Sequence, residues 1–490
     1  MSWKEAAEPV LTRMPVVSRP QGHVPFKRKL LWTAGVLVIY FFLTNITLFG
    51  LDAGGSDIFG QFRSILAGEQ GSIMQVGIGP IVTASIVLQL LGGANLLGLD
   101  TDNDPRDQIL YQGLQKLLVL VVTAATAFPM VFAGQFLPAN PNIAAGLGIS
   151  VTALELIIFA QVFIGGVLIL FMDEIVSKWG VGSGVGLFII AAVSQQLVGG
   201  FFSWSGLGTP GFFANWYGIL FGGLELGPTF TGEWFQSLLF EPGNILGLIT
   251  TVFIFAVVVY AESVRVEIPL SHSRVRGARG RFPVKLIYAS VLPMILVRAL
   301  QANIQFMGQI LQSQWAGMPA WLGVYAEGQP VGGLFYYMAP IQSIQDWMWF
   351  LGLTPAGIEP WQILTRVGID LTFMVIGGAI FAIFWVETTG MGPEATAKQI
   401  QSSGMQIPGF RRNPQVVEKV MERYIPQVTV IGGALVGLLA VMANMLGTVG
   451  NVSGTGLLLT VSITYKLYEE IAEEQMMEMH PMMRQMFGRE

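Results

Sequence analysis

The sequence predicts an all-α polytopic membrane protein, with ten transmembrane helices in two inverted five-helix halves. Three observations predict it. Apolar residues make up 52% of the 490 and charged residues 12%, about half the ~25% typical of soluble domains. Apolar stretches approaching the ~20 residues needed to cross a bilayer recur ten times. The bases gather on one side of those stretches, and a short motif repeats five stretches apart.

Residues 1–29 form a polar, basic cytoplasmic segment with no apparent cleavable signal. Residues 30–51 carry no charge and supply span one; 72–99, also uncharged, contain span two. The uncharged run 117–154 is divided by Pro138, Asn140 and Pro141 into span three and the start of span four, which is expected to close before Asp173-Glu174. Span five runs from Gly180 to Gly199-Gly200 and completes the N-terminal half, 30–200. Pro210, Pro228 and Pro242 break 201–243, which reads as a long external loop. The C-terminal half, 244–471, holds spans six (244–261), seven (286–307), eight (367–386), nine (428–446) and ten (454–471). A second long loop, 308–365, carries Trp315, Trp321, Trp347, Trp349 and Trp361, as expected of an interfacial aromatic belt. A Met-rich cytoplasmic tail, 472–490, follows.

Lysine and arginine set the orientation. Of the 26 bases, all but Arg63, Arg298 and Arg366 fall in the N-terminal segment, the short cytoplasmic turns, the end of span ten (Lys466), the tail and the two cytoplasmic loops 262–285 and 387–427. The positive-inside rule then puts both termini in the cytoplasm, which requires an even number of spans. Ten satisfies it. The halves are related by a repeat: Ser183-Gly184-Val185-Gly186-Leu187 opens span five and Ser453-Gly454-Thr455-Gly456-Leu457 opens span ten, while Pro80 and Pro293 hold comparable places in spans two and seven. With five spans per half, the copies are inverted, a pattern typical of transporters and conduits.

Enzyme chemistry finds no footing. There are no cysteines, and His23, His272 and His480 are far apart, so no metal site or cofactor is expected. No phosphate-binding G-x-x-x-x-G-K-[ST] string occurs, and the glycine run 180–186 lacks dinucleotide spacing. Asp173-Glu174 is expected to cap or orient the loop that follows rather than to do acid–base work. Ionisable groups within spans are functional suspects, and these are Glu155, Arg298, Arg366 and Asp370. Arg366 and Asp370 are four apart and can pair on one helix face; Arg298 needs a cavity or an acid from another span. So few buried charges argue against ion coupling, leaving a secondary transporter of a small solute as the alternative to a passive conduit. The arginines of the loop 262–285 read as a flexible phosphate-binding finger, or simply as an orientation signal or anionic-lipid contact.

Longer strings add a resemblance. Met74–Leu91 (MQVGIGPIVTASIVLQLL), Tyr111–Leu118 (YQGLQKLL), Asp173–Ile189 (DEIVSKWGVGSGVGLFI), Tyr260–Leu270 (YAESVRVEIPL), Phe384–Gly390 (FWVETTG) and Tyr424–Thr429 (YIPQVT) resemble the SecY family, in its archaeal and eukaryotic wording. The resemblance implies the pore subunit of a protein-translocation channel in the cytoplasmic membrane. Unfolded polypeptide would pass through it, signal sequences and hydrophobic segments would leave sideways into lipid, and 201–243 would be the hinge. It also implies small SecE-type and beta-type partner subunits, and a driving partner such as the ribosome.

By the same resemblance, Ile78, Val82, Val181, Val185, Ile295 and Leu459 would form an aliphatic pore ring that offers ions no substitute for hydration. Residues 55–68 would be a plug, whose Ile58, Phe59, Phe62, Ile65 and Leu66 share one helical face. Thr83, Gln115 and Asn303 would be the polar cluster of a lateral gate. Arg274, Arg276, Arg279, Arg411 and Arg412 would meet the ribosome and its RNA.

Overall fold

The computed structural model describes the chain except residues 1–2, 23, 53–54, 56–61, 94–96, 100–103, 134–135, 205–209, 223–231, 241, 273–278, 286, 288–290, 316, 327, 352–357, 403–404, 407–413, 451 and 480–490. Its helices are, in order, α1 (Trp3–Leu11), α2 (Phe26–Thr44), α3 (Arg63–Leu66), α4 (Gly79–Gly93), α5 (Pro105–Phe132), α6 (Pro141–Leu147), α7 (Val151–Trp179), α8 (Gly184–Phe202), α9 (Phe212–Phe221), α10 (Gly232–Leu239), α11 (Ile245–Ser263), α12 (Leu292–Gln314), α13 (Leu334–Tyr337), α14 (Pro360–Thr388), α15 (Pro393–Ser402), α16 (Pro414–Leu446) and α17 (Gly454–Met479). Spans one to ten are α2, α4, α5, α7, α8, α11, α12, α14, α16 and α17, the ten longest helices among the described residues.

Six of these, α5, α7, α8, α11, α14 and α16, are long and apolar enough to cross a membrane on length and composition alone. The other four fall short for visible reasons. α2 opens on Lys27-Arg28-Lys29, α4 has 15 residues, α12 carries Arg298 and several glutamines, and α17 ends in an acidic stretch.

Several helices outrun the apolar stretches that reveal them. α7 continues through Asp173-Glu174 to Trp179, α12 reaches Gln314, α14 starts at Pro360 behind a Glu359 capping box, and α16 begins at Pro414 and passes through Pro426. Hydropathy marks where lipid ends, whereas Glu, Lys, Gln and Met sustain a helix in water. Nor are the long loops structureless. Residues 201–243 include α9 and α10, and 308–365 include α13 and the hairpin of β3 (Val324–Ala326) with β4 (Gln329–Gly332).

The described flanks of the finger expected within 262–285 form a strand pair. β1 (Arg265–His272) and β2 (Arg279–Lys285) pair antiparallel from Arg265↔Lys285 to Ser271↔Arg279, and β5 (Met405–Gln406) of the other cytoplasmic loop pairs with Ser271 and His272. The alternation of Val266, Ile268 and Leu270 with Glu267 and Pro269 is the period-two signal of a strand. Arg265 and Lys285 at the hairpin base pair with Glu469 on α17, whose Glu474 pairs with Lys29 at the start of span one.

The N-terminal segment lies across the start of span three and the end of span four. Lys4 meets Asp107 at 2.8 Å, Lys178 donates to the Val17 carbonyl at 2.7 Å, and Arg106 binds Glu8, holding that carboxyl below its ordinary pKa by hydrogen bonding. Within the C-terminal half, spans eight and nine pack through glycine: a Cβ on Gly378 of α14 would lie 2.6 Å from the Gly433 carbonyl of α16, an approach typical of membrane helix pairs.

Candidate pore and lateral gate

The repeated motif builds two equivalent helix starts. Ser183 Oγ accepts from the Gly186 amide at 3.2 Å, and Ser453 Oγ accepts from the Gly456 amide at 3.0 Å. Each serine N-caps its helix, as serine does when its hydroxyl takes up an otherwise unpaired amide. Behind span five, Asp173 Oδ1 accepts from the Val185 amide at 2.9 Å, and Glu174 pairs with Lys116 at 2.8 Å and Lys178 at 2.6 Å. Asp173 therefore orients the turn into α8, as expected, whereas Glu174 ties span three to span four. Pro80 and Pro293 each sit in the first turn of their helix, where proline's missing N–H costs nothing.

Between these helix starts lies the short helix α3, which touches α8, α12 and α17 and so contacts both halves. Phe62, Ile65 and Leu66 are buried in the main apolar core. Ile58 and Phe59 lie outside the described residues. The segment after α3 is fixed largely through backbone. Ile78 N–H donates to the Leu66 carbonyl at 2.7 Å, Tyr40 donates its hydroxyl to the Ala67 carbonyl at 2.9 Å, and Ser64 and Ser453 hydroxyls meet at 2.9 Å. Gly77, at φ +56°, must be glycine: a Cβ there would run into the Leu66 carbonyl.

Five of the six residues expected to form the ring belong to the same core. Ile78, Val82, Ile295 and Leu459 are buried in it, and Val185 packs against it half-buried. Val181 is buried outside that cluster, its amide donating to Thr33 of span one at 3.0 Å. Above α3 opens a polar cavity of about 780 Å³, walled by Arg63, Glu69 and Gln70 on one side and Gln342 to Asp346 of the 308–365 loop on another.

Asn303 of α12 donates to Thr83 of α4 at 2.9 Å. Gln115 does not join them; it lies 3.4 Å from Ser85 on the same helix as Thr83. Beside the pair is a cleft of about 10 Å³ lined by Leu66, Pro80, Thr83, Ala299 and Asn303, room for about one water.

Arg298 finds its acid on another span, and the expected Arg366–Asp370 pair is the reading that is corrected. Arg298 Nη1 lies 3.3 Å from Asp370 Oδ1 and donates to Gln301 at 2.6 Å, all three groups fully buried. Asp370 thus turns to span seven and not to Arg366 on its own helix. Arg366 instead donates to the Ala339 carbonyl at 3.1 Å and the Pro340 carbonyl at 2.7 Å, and lies 3.8 Å from Asp346. Two opposite charges in separate spans of an apolar chain were the available signal. Arg274, Arg276, Arg411 and Arg412 lie outside the described residues, and Arg279 is the first residue of β2.

Comparison with known proteins follows this geometry. The SecY family pattern matches residues 72–468, and the plug domain of Sec61p matches residues 38–71. A protein translocase subunit SecY of Haloferax volcanii is 75% identical over the whole of both chains, and its namesake from Archaeoglobus fulgidus is 50% identical over 99% of each. Among solved structures, one described as a protein conducting channel superposes with a TM-score of 0.78 at 38% identity, covering 97% of this chain and 98% of that one. Sec61 in the canine ribosome-channel complex superposes at 0.75, again at 38% identity, with the same coverage. The ten spans, the inverted repeat and the α3 segment agree with these matches, and the chain belongs to the SecY family.

Proposed function

We infer that this chain is the pore subunit of a protein-conducting channel, passing unfolded polypeptide across the cell membrane and releasing hydrophobic segments sideways into lipid. The observation that carries this is the meeting of Phe62, Ile65 and Leu66 with Ile78, Val82, Ile295 and Leu459 in one apolar core where the halves join. An aliphatic constriction deforms around any side chain, yet gives ions nothing in exchange for their water. The Thr83–Asn303 contact supplies a seam beside it. One such interhelical bond is worth roughly 0.6–2 kcal/mol, enough to close and little enough to yield to a hydrophobic segment.

No enzymatic step belongs to this reading; a partner such as the ribosome supplies the drive. The cytoplasmic loops, through Arg274, Arg276, Arg279, Arg411 and Arg412, are its docking surface for RNA phosphates, and small SecE-type and beta-type subunits complete the assembly. Both termini face the cytoplasm, supported by the distribution of bases.

The test is photo-crosslinking of a stalled nascent chain from positions 78, 82, 185, 295 and 459. Adducts at these sites are expected, and their absence while lipid-facing positions react would refute the pore. Arg411→Glu is expected to impair translocation in an otherwise folded channel; normal secretion removes that arginine from docking.

A further inference from the structure

α12 presents two chemically different sides. Towards α4 it offers Ala299, Ala302 and the single Asn303–Thr83 contact. Elsewhere it carries a ladder spaced by four residues, hence on one face. Gln301 donates to the Met338 carbonyl at 3.0 Å, Gln305 to the Phe335 carbonyl at 2.9 Å, and Gln309 to the Gly328 carbonyl at 3.3 Å. α14 grips the same loop: Arg366 binds the carbonyls of Ala339 and Pro340, and Asp370 accepts from the Ile341 amide at 3.3 Å. Gln301 also donates to Asp370 at 3.1 Å, closing the circuit with Arg298. Segment 338–341 is thus bonded to both spans, and the next five residues, 342–346, wall the external cavity.

Arg298 Nε and Nη2 have no partner among the described residues although fully buried. An incompletely satisfied buried ion pair is a poor stabilising device, since apolar replacement of both partners is often neutral or better. Its use lies elsewhere. We propose that Arg298, Gln301, Arg366 and Asp370 bolt spans seven and eight and segment 338–346 into one rigid leaf, which swings as a unit when the Thr83–Asn303 seam parts. Arg298 is then a positioning residue acting through Asp370. The inference rests on the gate reading above.

A covalent bolt tests it. A Cβ on Gly377 of α14 would lie 3.8 Å from the Cβ of Val297, the separation of a disulfide, and the chain has no native cysteine. Full-length channels with their partner subunits carry Val297→Cys/Gly377→Cys, or Thr83→Cys/Asn303→Cys joined by a short bis-maleimide. Within the leaf, oxidation is expected to leave translocation and membrane release within about twofold of the reduced protein, while the seam cross-link abolishes release. Equal loss from both overturns the leaf and leaves the gate reading standing; release through a cross-linked seam removes the gate, and the leaf with it.

A second arm uses the charge-free variant Arg298→Met/Asp370→Leu. With span seven loosened, release of a marginally hydrophobic segment is expected to rise about threefold, the scale of one interhelical contact. Adding the 297–377 disulfide should restore the parental value. Unchanged release, or a rise that the disulfide fails to reverse, overturns the role of Arg298. Should that variant not fold, the cross-links on native charges decide alone.

Discussion

Spans two and seven are counterparts in the repeat, each with proline in its first turn, and they face each other at Thr83–Asn303. They are held differently. Span two is fixed at its start by backbone, through Ile78 to the Leu66 carbonyl and the tight turn at Gly77, so its position depends on the plug. Span seven is fixed along its length by side chains, through Arg298 and three glutamines, so its position depends on the external loop and span eight. Symmetry of fold therefore coexists with asymmetry of restraint: one wall of the seam is tied to the α3 segment, the other to the 308–365 loop.

Four sets of substitutions break or sharpen this contrast. Arg298→Leu, leaving the Asp370 carboxylate buried without its ion-pair partner, should cost about 3–5 kcal/mol in unfolding of the purified channel, with much of that regained in Arg298→Met/Asp370→Leu. Gly77→Val should cost roughly 1–3 kcal/mol at the strained turn, and should raise ion leakage through idle channels in vesicles. Its control is Gly79→Ala, where a Cβ meets only Leu66 Cδ2 at 3.8 Å and leakage should stay at the parental level. Ser183→Ala should cost about 1 kcal/mol as a lost cap. Ser453→Ala should exceed it, because Ser453 also meets Ser64; equal losses would deny the plug contact any weight. Gln305→Leu should be smallest, near ~0.6 kcal/mol, with loosening of the 333–341 loop visible in hydrogen exchange.

Much of the fold was legible because lipid imposes a coarse code: long apolar runs, bases on one side, and a repeated helix start whose serines both prove to be caps. Helix ends were less legible, since a helix that leaves the membrane keeps its hydrogen bonds while its hydropathy changes. The cytoplasmic hairpin was readable in Val266, Ile268 and Leu270, but its arginines drew the reading towards charge. At the gate, motif resemblance singled out Thr83 and Asn303, which touch, and Gln115, which turns to Ser85. Resemblance fixes the helix a residue occupies; the rotamer that chooses its partner depends on neighbours. Asp370 was read with Arg366 because four-residue spacing favours pairing on one helix. The competing factor was a buried cation on another span, Arg298, whose Nη1 lies 3.3 Å from the Asp370 carboxylate.

The pairing of β5 with β1 bears on the docking of a large polyanion proposed above for the two basic loops. His272 and Met405 lie opposite each other, so the two basic loops are spaced by main-chain geometry and not by the slack of their connecting chains. Once the first tooth of this comb engages, the second is already at high effective concentration, and its binding needs little further loss of freedom. Deleting either loop would then cost more grip than its own arginines contribute, because the remaining tooth would lose its register.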